Sequence, residues 1–203
     1  MVPSHREIEI KLRVSDLREI RARLRRLGAR AGKRVREVNT LYDSPGARLR
    51  ARGELLRLRL NDGVAVVTHK GPAQKSPRGA GQYKARRETE FDAPDPARVR
   101  LLLQAAGLIP GMRYEKYRTA HIWPRVRGVQ VVLDETPIGP FLELEGAPQA
   151  IDRAARLLGY GPADYITSSY LALYFEDCHR RGRKPSDMLF PRRKKSKKAS
   201  VLR

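Results

Sequence analysis

The feature that most constrains this chain is an alternation of charged and apolar residues that recurs along most of its length. His5 to Val14 sets the pattern: apolar side chains fall at Ile8, Ile10, Leu12 and Val14, and charged ones at Glu7, Glu9, Lys11 and Arg13. A period of two is the signature of a β-strand with two unlike faces. The same alternation, or a continuous apolar run beside a turn signal, marks seven further strands. They are Val35–Asp43, Leu55–Leu60, Val64–Lys70, Tyr83–Phe91, Met112–Ile122, Gly128–Asp134 and Phe141–Glu145. Asn61-Asp62-Gly63 reads as a tight turn joining two of them into a hairpin.

Helical spacing appears between the strands. Ser15 reads as an N-cap for a helix with Leu17, Ile20, Leu24 and Leu27 on one face, stopped by Gly28. Further helices are expected over Asp95–Ala106, Ile151–Leu158 and Tyr165–Glu176, and a loop over residues 71–82.

An ordinary sheet turns its charges to water. Here, however, nearly every strand has a charged face and an apolar face, and the apolar residues need helices to cover them. A closed eight-stranded antiparallel barrel of the α+β class reconciles the two, with helices packed outside and charges lining the lumen. Parity allows Glu7, Glu9, Glu88, Glu90, Asp134, Glu143 and Glu145 to face inward, with Lys11, Arg57, Arg59, Lys70, Lys84, Arg86, Lys116 and Arg118, although between Asp134 and Glu135 it does not choose. Charges two apart on a strand lie roughly 6.5–7 Å from each other. Like charges at about 4 Å repel by about 4 kcal/mol at an intermediate dielectric. Mixed pairing relieves part of this. A polyphosphate would relieve the bases, and Mg²⁺ or Mn²⁺ the acids, because hard cations prefer carboxylate oxygens.

The composition agrees with an anionic ligand. The net charge is +21, from 43 Lys and Arg against 22 Asp and Glu. Residues 177–203 carry +9 and include the run 192–198, so a basic, flexible tail is expected after a domain over residues 1–176. Weak polyanion binding is the functional reading of that tail. The single cysteine, Cys178, excludes an internal disulfide, and no apolar stretch is long enough to span a membrane. The polar start offers no signal peptide, so a cytoplasmic protein is expected. The four histidines show no metal-ligand spacing, and no GxxxxGK[ST] phosphate loop is present.

Several segments, in order, resemble one family. Glu7-Ile-Glu9-Ile-Lys11 is similar to the ExExK signature of the CYTH superfamily, the triphosphate tunnel metalloenzymes. Leu41-Tyr42-Asp43, Leu56-Arg57-Leu58-Arg59, Thr68-His69-Lys70-Gly71-Pro72 and Arg86-Arg87-Glu88-Thr89-Glu90 resemble its next motifs. Lys116-Tyr117-Arg118, Leu133-Asp134, Ile138 to Gly146 and Ser169-Tyr170 resemble the last ones.

The match is greatest to the class IV adenylyl cyclase-like branch. It implies that Glu7, Glu9, Asp134, Glu143 and Glu145 bind or orient divalent metal. It implies phosphate binding by Lys11, Arg57, Arg59, Lys70, Arg86, Lys116 and Arg118, to which parity adds Lys84. Glu7, Glu9 and Lys11 are the catalytic candidates. The implied reaction is conversion of ATP to cyclic AMP and pyrophosphate. The alternatives are hydrolysis of an inorganic or organic triphosphate, and a non-catalytic polyphosphate- or nucleotide-binding module. The resemblance also makes a homodimer an expectation.

Overall fold

The alternating segments all form strands, and they close on themselves. The computed structural model describes residues 5–74 and 82–191. The strands are β1 (His5–Arg13), β2 (Arg30–Asp43), β3 (Leu55–Asn61), β4 (Val64–Lys70), β5 (Lys84–Ala93), β6 (Ile109–Ile122), β7 (Val129–Thr136) and β8 (Gly139–Gly146). They form a closed barrel in the order β1-β5-β4-β3-β2-β6-β7-β8, with every pairing antiparallel. Five helices lie outside it: α1 (Leu17–Arg26), α2 (Arg48–Ala51), α3 (Pro96–Ala105), α4 (Pro148–Leu157) and α5 (Tyr170–Arg180). Among the described residues no helix is long and apolar enough to cross a membrane.

Turn chemistry fixes the register of the β3–β4 hairpin. Asp62 and Gly63 both have positive φ, 45° and 88°, as the two central residues of a type I′ turn require. At the other end of the sheet, a Cβ on Gly146 would lie 2.2 Å from the Gly128 carbonyl oxygen, so only glycine lets β8 finish there.

The buried apolar side chains pack into three clusters, two on the outward faces and a third that takes Tyr114 and Phe141 from the lumen-facing parity. Ile10, Leu12, Val131, Leu133, Leu142 and Leu144 are sealed beneath Ile20 and Leu24 of α1 and Ile151 and Ala155 of α4. Leu58, Ala65 and Val67 meet Val99 and Leu103 of α3. Tyr114, Phe141, Tyr170, Leu173 and Met188 form the third.

The structure corrects some boundaries. Asp16, not Ser15, caps α1: its Oδ1 accepts from the amides of Arg18 and Glu19, at 2.6 and 3.3 Å. β2 begins at Arg30 rather than Val35, because the second half of β6 supplies partners as far as Arg30↔Ile122. The last helix starts at Tyr170, capped by Ser169, because Ile166 instead exchanges two backbone hydrogen bonds with Lys11, each 2.9 Å. It then runs on to Arg180. Beyond it Met188 is buried and pairs in parallel with Tyr114 of β6. Residues 75–81 of the expected loop and the basic run 192–198 lie outside the described residues.

Candidate active site in the barrel lumen

One parity of each strand faces a central cavity of about 620 Å³. All eight expected bases line it, and so do six of the seven expected acids. The seventh, Asp134, is fully buried behind them and lines no part of the cavity.

Two groups of contacts organise the charges. In the first, Lys70 reaches Glu7 at 2.6 Å and Glu88 at 3.0 Å. Glu9 takes Lys11 at 2.9 Å and Lys84 at 2.6 Å. Burial pushes the Glu7 carboxyl up, against the pull of Lys70, and the nearby Glu9 and Glu88 push the same way. Burial opposes ionisation of Glu9 too, but Lys11 and Lys84 outweigh it and hold this carboxyl below its ordinary value. Lys84 is lowered by burial and by the neighbouring Lys11, only partly offset by Glu9.

In the second group, Arg118 clamps Asp134 through Nε and one terminal nitrogen at 2.8 and 2.7 Å, and reaches Glu143 at 2.7 Å. Lys116 adds a 2.9 Å contact to Asp134, and the Tyr170 hydroxyl donates to it at 2.8 Å. Despite burial, these cations hold Asp134 far below its usual range. Glu143 is held low in the same way by Lys11 and Arg118. Asp134 is therefore caged by cations rather than grouped with the other acids.

Three carboxylates do converge. Glu7, Glu9 and Glu143 are all buried, and a ligand atom from each lies within 4.8 Å of the others. Glu145 lines the same cavity and makes no ion pair among the described residues. Burial, with Glu7 and Glu143 nearby, pushes it up to about 7. Oxygen-only donors of this kind fit a hard divalent cation, and the crowded charge of Glu7, Glu9, Glu143 and Glu145 is what such an ion would neutralise.

The bases are less fully engaged. The Nε atoms of Arg57, Arg59 and Arg86 are buried without a hydrogen-bond partner. Burying a donor unpaired costs about 1–3 kcal/mol. Together these arginines present unspent donors on the β3 and β5 walls.

The sequence missed part of the lining. Glu37 is buried among Arg59, Lys116 and Arg118, at 3.5, 3.5 and 3.9 Å. Burial raises its proton affinity, but Lys116, Arg118 and Arg59 prevail and bring its pKa to about 2. Asn39 is fully buried with both side-chain polar atoms unpaired. Tyr114 also faces the cavity, where its hydroxyl accepts from Arg57 at 3.3 Å. Leu41, Leu55 and Leu171 give the lining an apolar component. His69 points away from the lumen toward Glu54, as parity requires.

A closed antiparallel barrel whose lumen pairs converging carboxylates with arginines and lysines defines a charged tunnel protein. This chain belongs to the CYTH family: the CYTH domain family matches residues 5–170. It is 26% identical over 155 residues to a protein of Methanocaldococcus jannaschii described as a "putative adenylate cyclase", covering 75% of this chain and 83% of that one. A solved structure from Vibrio parahaemolyticus with the same description superposes with a TM-score of 0.69 at 18% identity, covering 84% of this chain and 98% of that one. A Hippeastrum protein, described as a "putative adenylyl cyclase" with a dominant triphosphatase activity, gives 0.61 at 19% identity, covering 88% and 97%.

Proposed function

We propose that this chain is a divalent-metal-dependent enzyme that converts ATP to cyclic AMP and pyrophosphate inside the barrel. The observation that carries the reading is the convergence of Glu7, Glu9 and Glu143 within 4.8 Å, in one cavity with Arg57, Arg59 and Arg86, whose buried Nε donors lack partners. Glu7, Glu9 and Glu143 would hold Mg²⁺ or Mn²⁺, with Glu145 and the caged Asp134 supporting them. When bound, such an ion neutralises phosphate oxygens and the charge that builds as a phosphorus–oxygen bond breaks. Arg57, Arg59, Arg86 and Arg118 grip phosphate oxygens with planar, paired donors, while Lys11, Lys70, Lys84 and Lys116 act as point charges. Charge placed in advance around the lumen stabilises the transition state without reorganisation.

In the cyclase reaction the ribose 3′-hydroxyl attacks the α-phosphorus, the bond to the β-phosphate oxygen breaks, and pyrophosphate leaves. Leu41, Leu55 and Leu171 support a substrate with an organic group, because inorganic triphosphate gives apolar side chains nothing to contact. The description of the Methanocaldococcus relative points the same way. Hydrolysis is the second reading, favoured by the triphosphatase activity of the Hippeastrum neighbour.

Product analysis of the full-length protein with ATP and with inorganic triphosphate tests both, using Mg²⁺, Mn²⁺ or a chelator. Metal-dependent cyclic AMP with pyrophosphate supports cyclisation, and metal-dependent orthophosphate supports hydrolysis. No turnover of either compound with either metal would reject an enzyme and leave a binding module.

A further inference from the structure

Outside the lumen, positive charge concentrates on one wall of the barrel. From Arg18 to Arg36 the chain carries nine basic residues and one acid, Glu19. All nine except Arg23 are exposed. Contacts knit them into one surface. The Glu135 carboxylate takes Arg21 of α1 at 2.7 Å and Arg34 of β2 at 2.8 Å, so helix and strand present guanidinium groups side by side.

The turn after β6 joins this surface. The Trp123 indole donates to the Leu27 carbonyl at 3.0 Å, and a Cβ on Gly28 would stand 3.9 Å from Arg125 Nε. The few acids here are already engaged: Glu19 with Arg23, Glu115 with Arg36 and Asp62 with Lys33. Arg25, Arg26, Arg30, Arg125 and Arg127 remain exposed, with no side-chain partner among the described residues.

We propose that this wall, formed by α1, the start of β2 and the turn after β6, binds the phosphodiester backbone of a nucleic-acid duplex without reading its sequence. Arginine outnumbers lysine eight to one between Arg18 and Arg36, and its planar fork matches phosphate oxygens two at a time. Clustered uncompensated charge of one sign is the electrostatic footprint of such a surface. Single strands are bound with free aromatic stacking platforms; here Trp123 is turned into the core, and the part-buried Tyr117 ring is already covered by the Arg34 guanidinium, 3.5 Å from its centroid, and packed against Phe190. A membrane-binding surface combines bases with a broad apolar face. Here the large exposed apolar residues are scattered singly: Ile122 lies beside Arg30, Val64 follows the turn that holds Asp62, Leu157 lies on α4, and Phe91, Leu101 and Leu102 lie on β5 and α3.

The test is fluorescence anisotropy of the full-length protein with duplex DNA and duplex RNA of about 20 base pairs, over a salt series. The patch variant is Arg25→Gln, Arg26→Gln, Arg30→Gln and Arg125→Gln. A second variant carries Lys194→Gln, Lys195→Gln, Lys197→Gln and Lys198→Gln. The expected result is salt-dependent binding of at least one duplex by the wild type. The patch variant is expected to bind at least about tenfold more weakly at low salt, with a salt slope shallower by about 3–4, near 0.9 per lost phosphate contact. Its ATP and triphosphate turnover should match wild type. Three outcomes overturn the proposal: no duplex binding, wild-type binding by the patch variant with the whole loss in the tail variant, or binding to phosphatidylserine vesicles without duplex binding.

Discussion

Met188→Ala tests whether the chain beyond α5 is part of the folded body. Met188 is 1% exposed and packs with Tyr114, Phe141, Tyr170 and Leu173. Its backbone donates to the Arg113 carbonyl and accepts from the Glu115 amide, each at 2.9 Å. Asp187 beside it accepts from the Arg113 amide at 2.9 Å and from Arg113 Nε at 2.8 Å. Truncating a buried methionine to alanine costs about 2–5 kcal/mol, through lost transfer energy and the cavity left behind. The lower end applies here, because the segment can peel away, which caps the loss at what docking contributes. A cost of about 2 kcal/mol is about a 30-fold change in the folding equilibrium. With an m-value of about 2 kcal/mol/M, the urea midpoint should fall by about 1 M at unchanged slope. A midpoint within about 0.2 M of wild type would refute the reasoning and make the segment a passive appendage.

Glu9→Gln and Lys11→Ala should each lower turnover by about 10²-fold or more with unchanged far-UV circular dichroism, since each removes a preorganised charge; near-wild-type rates in either variant would remove that residue from the site. Tyr170→Phe deletes the hydroxyl that donates to Asp134 at 2.8 Å and lies 3.3 Å from Glu143. Hydrogen bonds to charged groups contribute about 1.5–3 kcal/mol, so urea unfolding should report a loss in that range, and a loss below about 0.5 kcal/mol counts against the buried cage. His121 has its pKa lowered by burial, with Arg21 adding to the effect and the Thr119 carbonyl opposing it. The unfolded chain therefore binds this proton more readily, so His121 lowers stability as pH drops below about 6.5, while Glu145, pushed up to about 7, titrates in the same window with the opposite sign. Replacing the histidine isolates its share: the unfolding midpoint of His121→Asn should rise relative to wild type on going from about pH 6.5 to 5, and an unaltered profile would falsify the assignment.

The lumen was legible wherever one strand carries charge on a single parity. Arg57 and Arg59 leave β3 only one inward face, and both line the cavity; on β5 Arg87 breaks the pattern, and the spacing of Lys84, Arg86, Glu88 and Glu90, which all line the cavity, sets the phase. Glu37 escaped because Arg34, Arg36 and Glu37 put charge on both parities of β2, so alternation there has no preferred phase. Its register with Asn61 and Lys116 decides the matter, and that is a long-range fact. α2 escaped for a related reason. Its four residues carry no helical period, and the Asp43 carboxylate holds the segment by accepting from the amides of Leu49 and Arg50, at 2.9 and 3.0 Å. The convergence of Glu7 and Glu9 with Glu143 depends on β1 pairing with β8, which no local pattern announces.

That seam between the first and last strands also governs how the protein assembles. β1 pairs with β5 on one edge and β8 on the other, so its second edge stays unpaired until residue 145 has left the ribosome. Sheets built from such distant partners fold slowly and leave unpaired edges open in the meantime. During synthesis Glu7, Glu9 and Lys11 stay hydrated, and dehydration of the interior is deferred to the final zipping step. Charges on that edge strand keep the nascent open sheet from pairing with another chain until its last edge is sealed.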